Sequence, residues 1–237
     1  MRGWFVSCIL TGLSGPALAG PWTLPDGAAY VRTSVAREDV ETLRAWRGDA
    51  YGEYGLTDDW TASLKIESVL FEGADDYNSD GIRATLRRRG FRNDYFTTSL
   101  EVGVLAGAAI GGAQGCDSPG GELRVGIGGS VDGTPVDPFI PANSNTGFVL
   151  LEVAGRAHAD GCQTGRIEFG YGEEILPSVW TITQVWIERG NTNSPSDKIQ
   201  FELMLRRTLF DYSIGVRQEF GGAFEEDGMF IALARRF

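Results

Sequence analysis

Histidine is almost absent from this chain. His158 is the single one among 237 residues, which excludes a histidine-rich metal centre. Three cysteines, Cys8, Cys116 and Cys162, are too few for a disulfide-framework miniprotein, and no zinc-type cysteine pair occurs. Beyond residue 20 no apolar run approaches the roughly 18 residues of a spanning helix, which excludes a multi-span helical membrane protein. The 33 glycines show no three-residue period, so collagen is excluded. No glycine loop of the phosphate-cradling kind and no Gly-x-Ser-x-Gly are present. A clustered basic surface is missing too: the formal net charge is -11, which argues against a nucleic-acid partner.

What is present is a chain with 42% hydrophobic, 22% charged and 11% aromatic residues, long enough for one domain or two small ones. Residues 1–19 read as a secretory signal peptide. Arg2 is the basic start, Trp4 to Leu13 the apolar stretch, and Ala17-Leu18-Ala19 a small-x-small cleavage site. Its removal leaves 20 basic and 32 acidic residues, and Cys116 and Cys162 as an exported pair able to form a disulfide.

Over residues 20–237 the dominant signal is alternation with period two, the mark of half-buried strands. Trp60, Ala62, Leu64, Ile66 and Leu70 alternate with Thr61, Ser63, Lys65 and Glu67. Leu100, Val102 and Val104 alternate with Ser99, Glu101 and Gly103, and Tyr212, Ile214 and Val216 with Ser213, Gly215 and Arg217. The pattern predicts twelve strands, near 28–37, 43–57, 60–72, 82–91, 95–106, 121–130, 146–158, 164–172, 178–189, 198–209, 211–222 and 228–237. Short connections (57–60, 92–94, 173–177, 209–211) alternate with longer polar ones (73–81, 107–120, 190–197, 223–227), as in a transmembrane barrel. Residues 131–145, with Pro135, Pro138 and Pro141, break this rule. They are expected to form a flap or plug on the short-turn side.

Alternation alone does not say whether the apolar face meets a core or lipid. The C-terminal run Gly-Met-Phe-Ile-Ala-Leu-Ala-Arg-Arg-Phe bears on this, with Met229, Ile231, Leu233 and Phe237 in phase. It resembles the last strand of bacterial outer-membrane β-barrels, whose final aromatic residue is read by the assembly machinery. Arg235 departs from that pattern, which usually places an aromatic or apolar residue there. The segments Tyr51-Gly-Glu-Tyr-Gly-Leu-Thr-Asp-Asp-Trp and Phe169-Gly-Tyr-Gly are similar to hairpins of transporter-like barrels in the same class. The resemblance implies an all-β, antiparallel, up-and-down transmembrane barrel of about twelve strands in the outer membrane. It implies lipid and lipopolysaccharide as surroundings, and Phe237 as the assembly signal.

In such a barrel the polar faces line the lumen. The cations there are Arg32, Lys65, Arg83, Arg87, Arg89, Arg124, Arg156, Arg166, Arg206, Arg217 and Arg236. The anions are Asp49, Glu53, Glu67, Glu101, Glu122, Glu152, Glu168, Glu202 and Glu219. The predominance of Arg suits buried, bidentate pairing, although a solvated sheet face or a compositional bias also accounts for it. Arg88, Arg207 and Arg235 are then the lipid-facing charges, all at the periplasmic end, where they reach headgroups.

Candidate chemistry is sparse. Some twelve-stranded outer-membrane barrels are phospholipases with a Ser–His pair, and His158 is the one available base; a polar residue at the outer rim is the plainer reading. The acidic stretches Glu72, Asp75, Asp76, Asp80 and Glu225, Glu226, Asp227 read as solvated loop tips, with a divalent cation bridging lipopolysaccharide as the alternative. Trp22, Trp46, Trp60, Trp180 and Trp186 suit either interfacial girdles or interior packing. The expectation is a non-enzymatic channel for small polar solutes, with no cofactor and no metal. A closed barrel with a structural or surface role and a secreted soluble β-barrel binder are the alternatives.

Overall fold

The computed structural model describes residues 20–111, 116–131, 147–191, 195–222 and 225–237. The expected signal peptide and almost all of the expected flap at 131–145 lie outside them. Twelve strands run β1 (Ala29–Val40), β2 (Leu43–Thr57), β3 (Trp60–Phe71), β4 (Ser79–Arg92), β5 (Phe96–Ala106) and β6 (Gly120–Ser130). They continue as β7 (Gly147–His158), β8 (Gln163–Leu176), β9 (Val179–Gly190), β10 (Ser196–Arg206), β11 (Asp211–Gly221) and β12 (Glu226–Arg236). A single helical turn, α1 (Ala108–Gly111), follows β5.

Each strand pairs antiparallel with its sequence neighbours, and β1 pairs with β12, so the sheet closes on itself. The seam runs from Tyr30 opposite Arg236 to Val40 opposite Glu226, and Phe237 extends it through two backbone hydrogen bonds with Ala29. Closure satisfies every sheet edge, which a β-structure needs where no water can bond its backbone.

The alternation makes the barrel inside-out relative to a soluble one. Val35, Ile66, Val104, Val125, Val153, Phe201, Ile214 and Ile231 all point outward and are exposed. The residues between them, in the opposite phase, point inward, and many of these are Arg and Glu. Such a belt belongs against hydrocarbon. At the end carrying both chain termini, Arg88 lies over the Trp60 ring at 5.5 Å, and Arg235 over Phe210 and Phe237 at 5.3 and 4.5 Å. Arg207 belongs to a turn rather than a strand. Further outward charges, Arg37, Asp39, Arg44 and Arg189, sit at the opposite, loop-bearing end. By the short-turn rule the terminal end faces the periplasm.

Several boundaries differ from expectation; β4, for one, begins at Ser79 rather than 82. β1 runs on to Val40, carrying Glu38 inward. β8 runs on to Leu176, so the turn before β9 shrinks to two residues, Pro177 and Ser178; Ser178 donates its backbone N–H to Glu174 Oε1 at 2.6 Å. β10 stops at Arg206, leaving 207–210 as turn.

Two glycines make room for aromatic rings on the neighbouring strand. A Cβ at Gly172 would lie 2.1 Å from the Phe148 ring, and one at Gly215 would lie 2.3 Å from that of Phe230. In both pairs the ring faces its glycine across the register, the arrangement by which an aromatic covers a glycine in a sheet.

Candidate functional site

The interior divides into two zones. Toward the loop end it is charged. Arg47 of β2 reaches three carboxylates: Glu38 at 2.7 Å, Glu67 at 2.5 Å and Glu226 at 3.3 Å. Lys65 holds the other oxygen of Glu67 at 2.5 Å, and Arg217 approaches Glu38 at 3.7 Å. Lys198 meets Glu219 at 2.5 Å, and Ser196 also donates to Glu219.

A second network crosses β2 and β4–β8. Arg87 bridges Glu53 and Glu101, each at 2.8 Å. Arg124 sits among Glu152 at 2.6 Å, Glu122 at 3.3 Å, Glu168 at 3.4 Å and Glu101 at 3.9 Å. Glu122 also takes Arg156 at 2.5 Å and Arg83 at 3.1 Å. Arg32 joins Glu202 at 3.0 Å, three strands away around the wall. Multiply shared guanidinium–carboxylate contacts are what buried charge requires, because an unpaired charge there costs several kcal/mol.

Between these networks lies a cavity of about 240 Å³. Charged side chains from most of the strands line it, and Ala109 of α1 reaches it as well.

Toward the terminal end the interior turns apolar. Phe148, Leu150, Trp180, Ile182 and Met204 form a buried cluster, and Trp22 packs against it. The segment preceding β1 is the reason. Residues 20–24 fold back into the barrel. Leu24 is buried with Tyr30, Tyr51 and Ala234. Its backbone N–H donates to Thr61 Oγ1 at 2.8 Å, and the Thr23 hydroxyl donates to the Asp58 carbonyl at 2.8 Å. The Trp22 indole meets Phe148 edge-on at 5.9 Å. Gly126 and Gly128 give the segment its space: a Cβ at 128 would come within 2.6 Å of both Pro21 and Trp22.

The expected lumen residues therefore fall as follows. Lys65, Glu67, Arg83, Arg87, Glu101, Glu122, Arg124, Glu152, Arg156, Glu168, Glu202, Arg217 and Glu219 enter the ion-pair networks just described. Arg166 lines the cavity over the Trp186 ring at 5.7 Å. Arg89 pairs with Asp59 at the terminal rim, and Arg206 lies over the Trp180 ring at 5.5 Å. Glu38, Arg47, Glu188, Lys198 and Asp211 also point inward; all lie in phase with residues named from the sequence, Glu38 beyond the expected end of β1. Glu226 is not a loop-tip residue; β12 begins with it and turns it toward Arg47.

The tryptophans split. Trp46 is exposed at the loop end and donates to Glu72 at 3.0 Å, and Trp60 stays at the terminal rim. Trp22, Trp180 and Trp186 are interior residues, not girdle residues. His158 is buried at the end of β7. Its Nδ1 donates to the Ser118 carbonyl at 2.8 Å, and Nε2 has no partner among the described residues. This is a loop-holding role beside the Cys116–Cys162 disulfide, which ties the 107–119 loop to the 159–162 turn. There Asp160 Oδ1 accepts the Cys162 N–H at 2.9 Å, and its own N–H donates to Ser118 Oγ at 3.2 Å. Hydrogen bonding to the carboxylate, first of all from the Cys162 N–H, lowers the Asp160 carboxyl pKa. No group of three or more His, Cys, Asp and Glu side chains among the described residues is placed to hold a metal.

No family model matches the chain, and no curated protein matches it in sequence. Solved structures share its fold. The KdgM porin superimposes with a TM-score of 0.58 at 8% identity, over 87% of this chain and 99% of that one. The COG4313 outer membrane channel from Pseudomonas putida F1 gives 0.58 at 8% identity, over 94% and 100%. The NanC porin gives 0.58 at 9% identity, over 86% and 98%. The common architecture is the bacterial outer-membrane barrel. Together with the apolar belt it sets this chain in the outer membrane.

Proposed function

We propose that this barrel is a channel for small polar solutes, gated at its periplasmic end by its own residues 20–24. The observation that carries the reading is the division of the interior. A charged, ion-paired cavity lies toward the loop end, and a non-covalent apolar stopper closes the other. The stopper is held by packing and a few hydrogen bonds, so it can leave without breaking a strand pairing. The fold shared with porins and a channel supports the same reading. In this reading Phe237, beside the closing seam, serves as the assembly signal.

A closed barrel with a structural or surface role is the second reading, favoured by how completely the interior charges pair. Planar-bilayer recording separates the two. The channel reading expects small conductance steps from the wild-type protein and larger, longer openings from Trp22→Ala. Silence from both proteins favours the closed barrel. The apolar belt runs against a soluble binder, which would extract without detergent.

A further inference from the structure

Ten cationic side chains line the interior cavity. Nine of them lie within 4.0 Å of a carboxylate oxygen. Among the described residues the tenth, Arg166, has no such partner. The omission is not for want of neighbours. Glu188 stands directly across from Arg166 in the β8–β9 register, and Glu168 follows two residues along the same face. Both carboxylates turn elsewhere. Glu188 leans to Arg156 at 4.0 Å. Glu168 leans to Arg124 at 3.4 Å and accepts from Gln184 at 3.2 Å. Arg166 Nε is buried without a hydrogen bond, and its guanidinium rests over the Trp186 ring at 5.7 Å.

A guanidinium that faces a cavity with its donors unfilled is matched in charge and shape by a planar oxyanion, which it binds through two parallel hydrogen bonds. We infer that Arg166, flanked by Trp186, is the anchor of a binding station for one small organic carboxylate inside the barrel. Glu168 and Glu188 beside it disfavour a doubly charged phosphate, since a second negative charge meets two carboxylates at short range. The cavity of about 240 Å³ falls below the roughly 300–1,000 Å³ of drug-sized pockets, so it takes a single small molecule and not a chain of linked units. The indole offers an apolar face to a ring attached to the carboxylate. As a stop for a passing solute, the station rests on the channel reading above.

Benzoate is a suitable probe, with benzamide as its uncharged counterpart. Titration calorimetry on the detergent-solubilised full chain should give saturable one-to-one binding of benzoate, and binding of benzamide or phosphate at least tenfold weaker. Arg166→Gln should weaken benzoate at least tenfold, and Arg166→Lys, which keeps the charge but loses the fork, should weaken it less. Arg189→Gln, an exposed guanidinium paired with Asp197, should change nothing. Heat-modifiable migration reports folding of each variant. Should Arg166→Gln not fold, the benzoate–benzamide comparison on the wild type and the Arg166→Lys variant decide. Absence of benzoate binding, equal binding of benzamide, tighter binding of phosphate, or full binding by the folded Arg166 variants overturns the inference. Bilayer recording of the same preparation keeps the two readings apart. Benzoate binding without conductance removes the channel and leaves the site; conductance without benzoate binding removes the site alone.

Discussion

Arg87 Nη1 donates a hydrogen bond to the backbone carbonyl of Trp22 at 3.0 Å. The same nitrogen holds Glu53 at 2.8 Å, and the guanidinium reaches Glu101 as well. One side chain thus joins the interior ion pairs to the segment 20–24 that lies inside the terminal end.

Gly128 is the place to dislodge that segment without touching it. A side chain there overlaps Pro21 and Trp22, while the strand pairings of β6 stay intact. Gly128→Val should expel residues 20–24. The expected result is larger single-channel conductance than the wild type, with indole fluorescence newly quenched by iodide. Unchanged conductance and quenching would mean that the segment does not depend on this wall.

Arg124 is shared by four carboxylates, so its loss strands several negative charges at once. Arg124→Met should cost about 3–5 kcal/mol, the usual penalty for removing one partner of a buried pair. Urea unfolding of the barrel in lipid vesicles measures it. Replacing Glu152 together with it, as Arg124→Met/Glu152→Gln, should recover part of the loss.

Val125 lies at the middle of β6, outward and 54% exposed. Val125→Arg places a charge near the bilayer centre and should destabilise by about 2–4 kcal/mol. Arg88, outward at the periplasmic rim, is tolerated because its guanidinium reaches the interface and the Trp60 ring. Arg88→Val should therefore change stability by less than about 1 kcal/mol. Equal effects of the two substitutions in vesicles would contradict this depth assignment.

The disulfide closes a sequence separation of 46 residues. Reduction, or Cys116→Ser with Cys162→Ser, should lower stability by about 2–4 kcal/mol and leave the barrel closed. The reduced protein should still migrate as a compact form in unheated gels. Protease should cut its 107–119 loop faster than in the oxidised protein.

Most of the barrel was readable because one physical rule runs through it. The alternation of Lys65 and Glu67 with Leu64 and Ile66 continues from strand to strand, and a single phase assignment places nearly every interior charge. Arg47, Glu188 and Lys198 share that phase. They lie outside the clearest runs of alternation, which is why the pattern alone does not single them out. The stopper was not legible from periodicity, since residues 20–24 form no strand. Its trace was nonetheless present. Phe148, Val149, Leu150 and Leu151 are apolar on both faces, as are Val179, Trp180 and Ile182 in the opening of β9. A strand with one face in lipid and the other also apolar needs an apolar occupant inside. Trp22 and Leu24, just ahead of β1, were the nearest supply.

The seam between β1 and β12 has a consequence for how the molecule comes into being. It brings Tyr30 beside Arg236, so the first strand waits for the last before the wall is whole. Every other pairing joins strands adjacent in the chain and can form locally, whereas this one spans nearly the full length and is the slowest kind of contact to make. The stopper enters β1 at the same end where the seam finishes. Because it is held by packing and a few hydrogen bonds alone, it need not be inside when the two strands meet, so closing the wall and filling its end are separable steps.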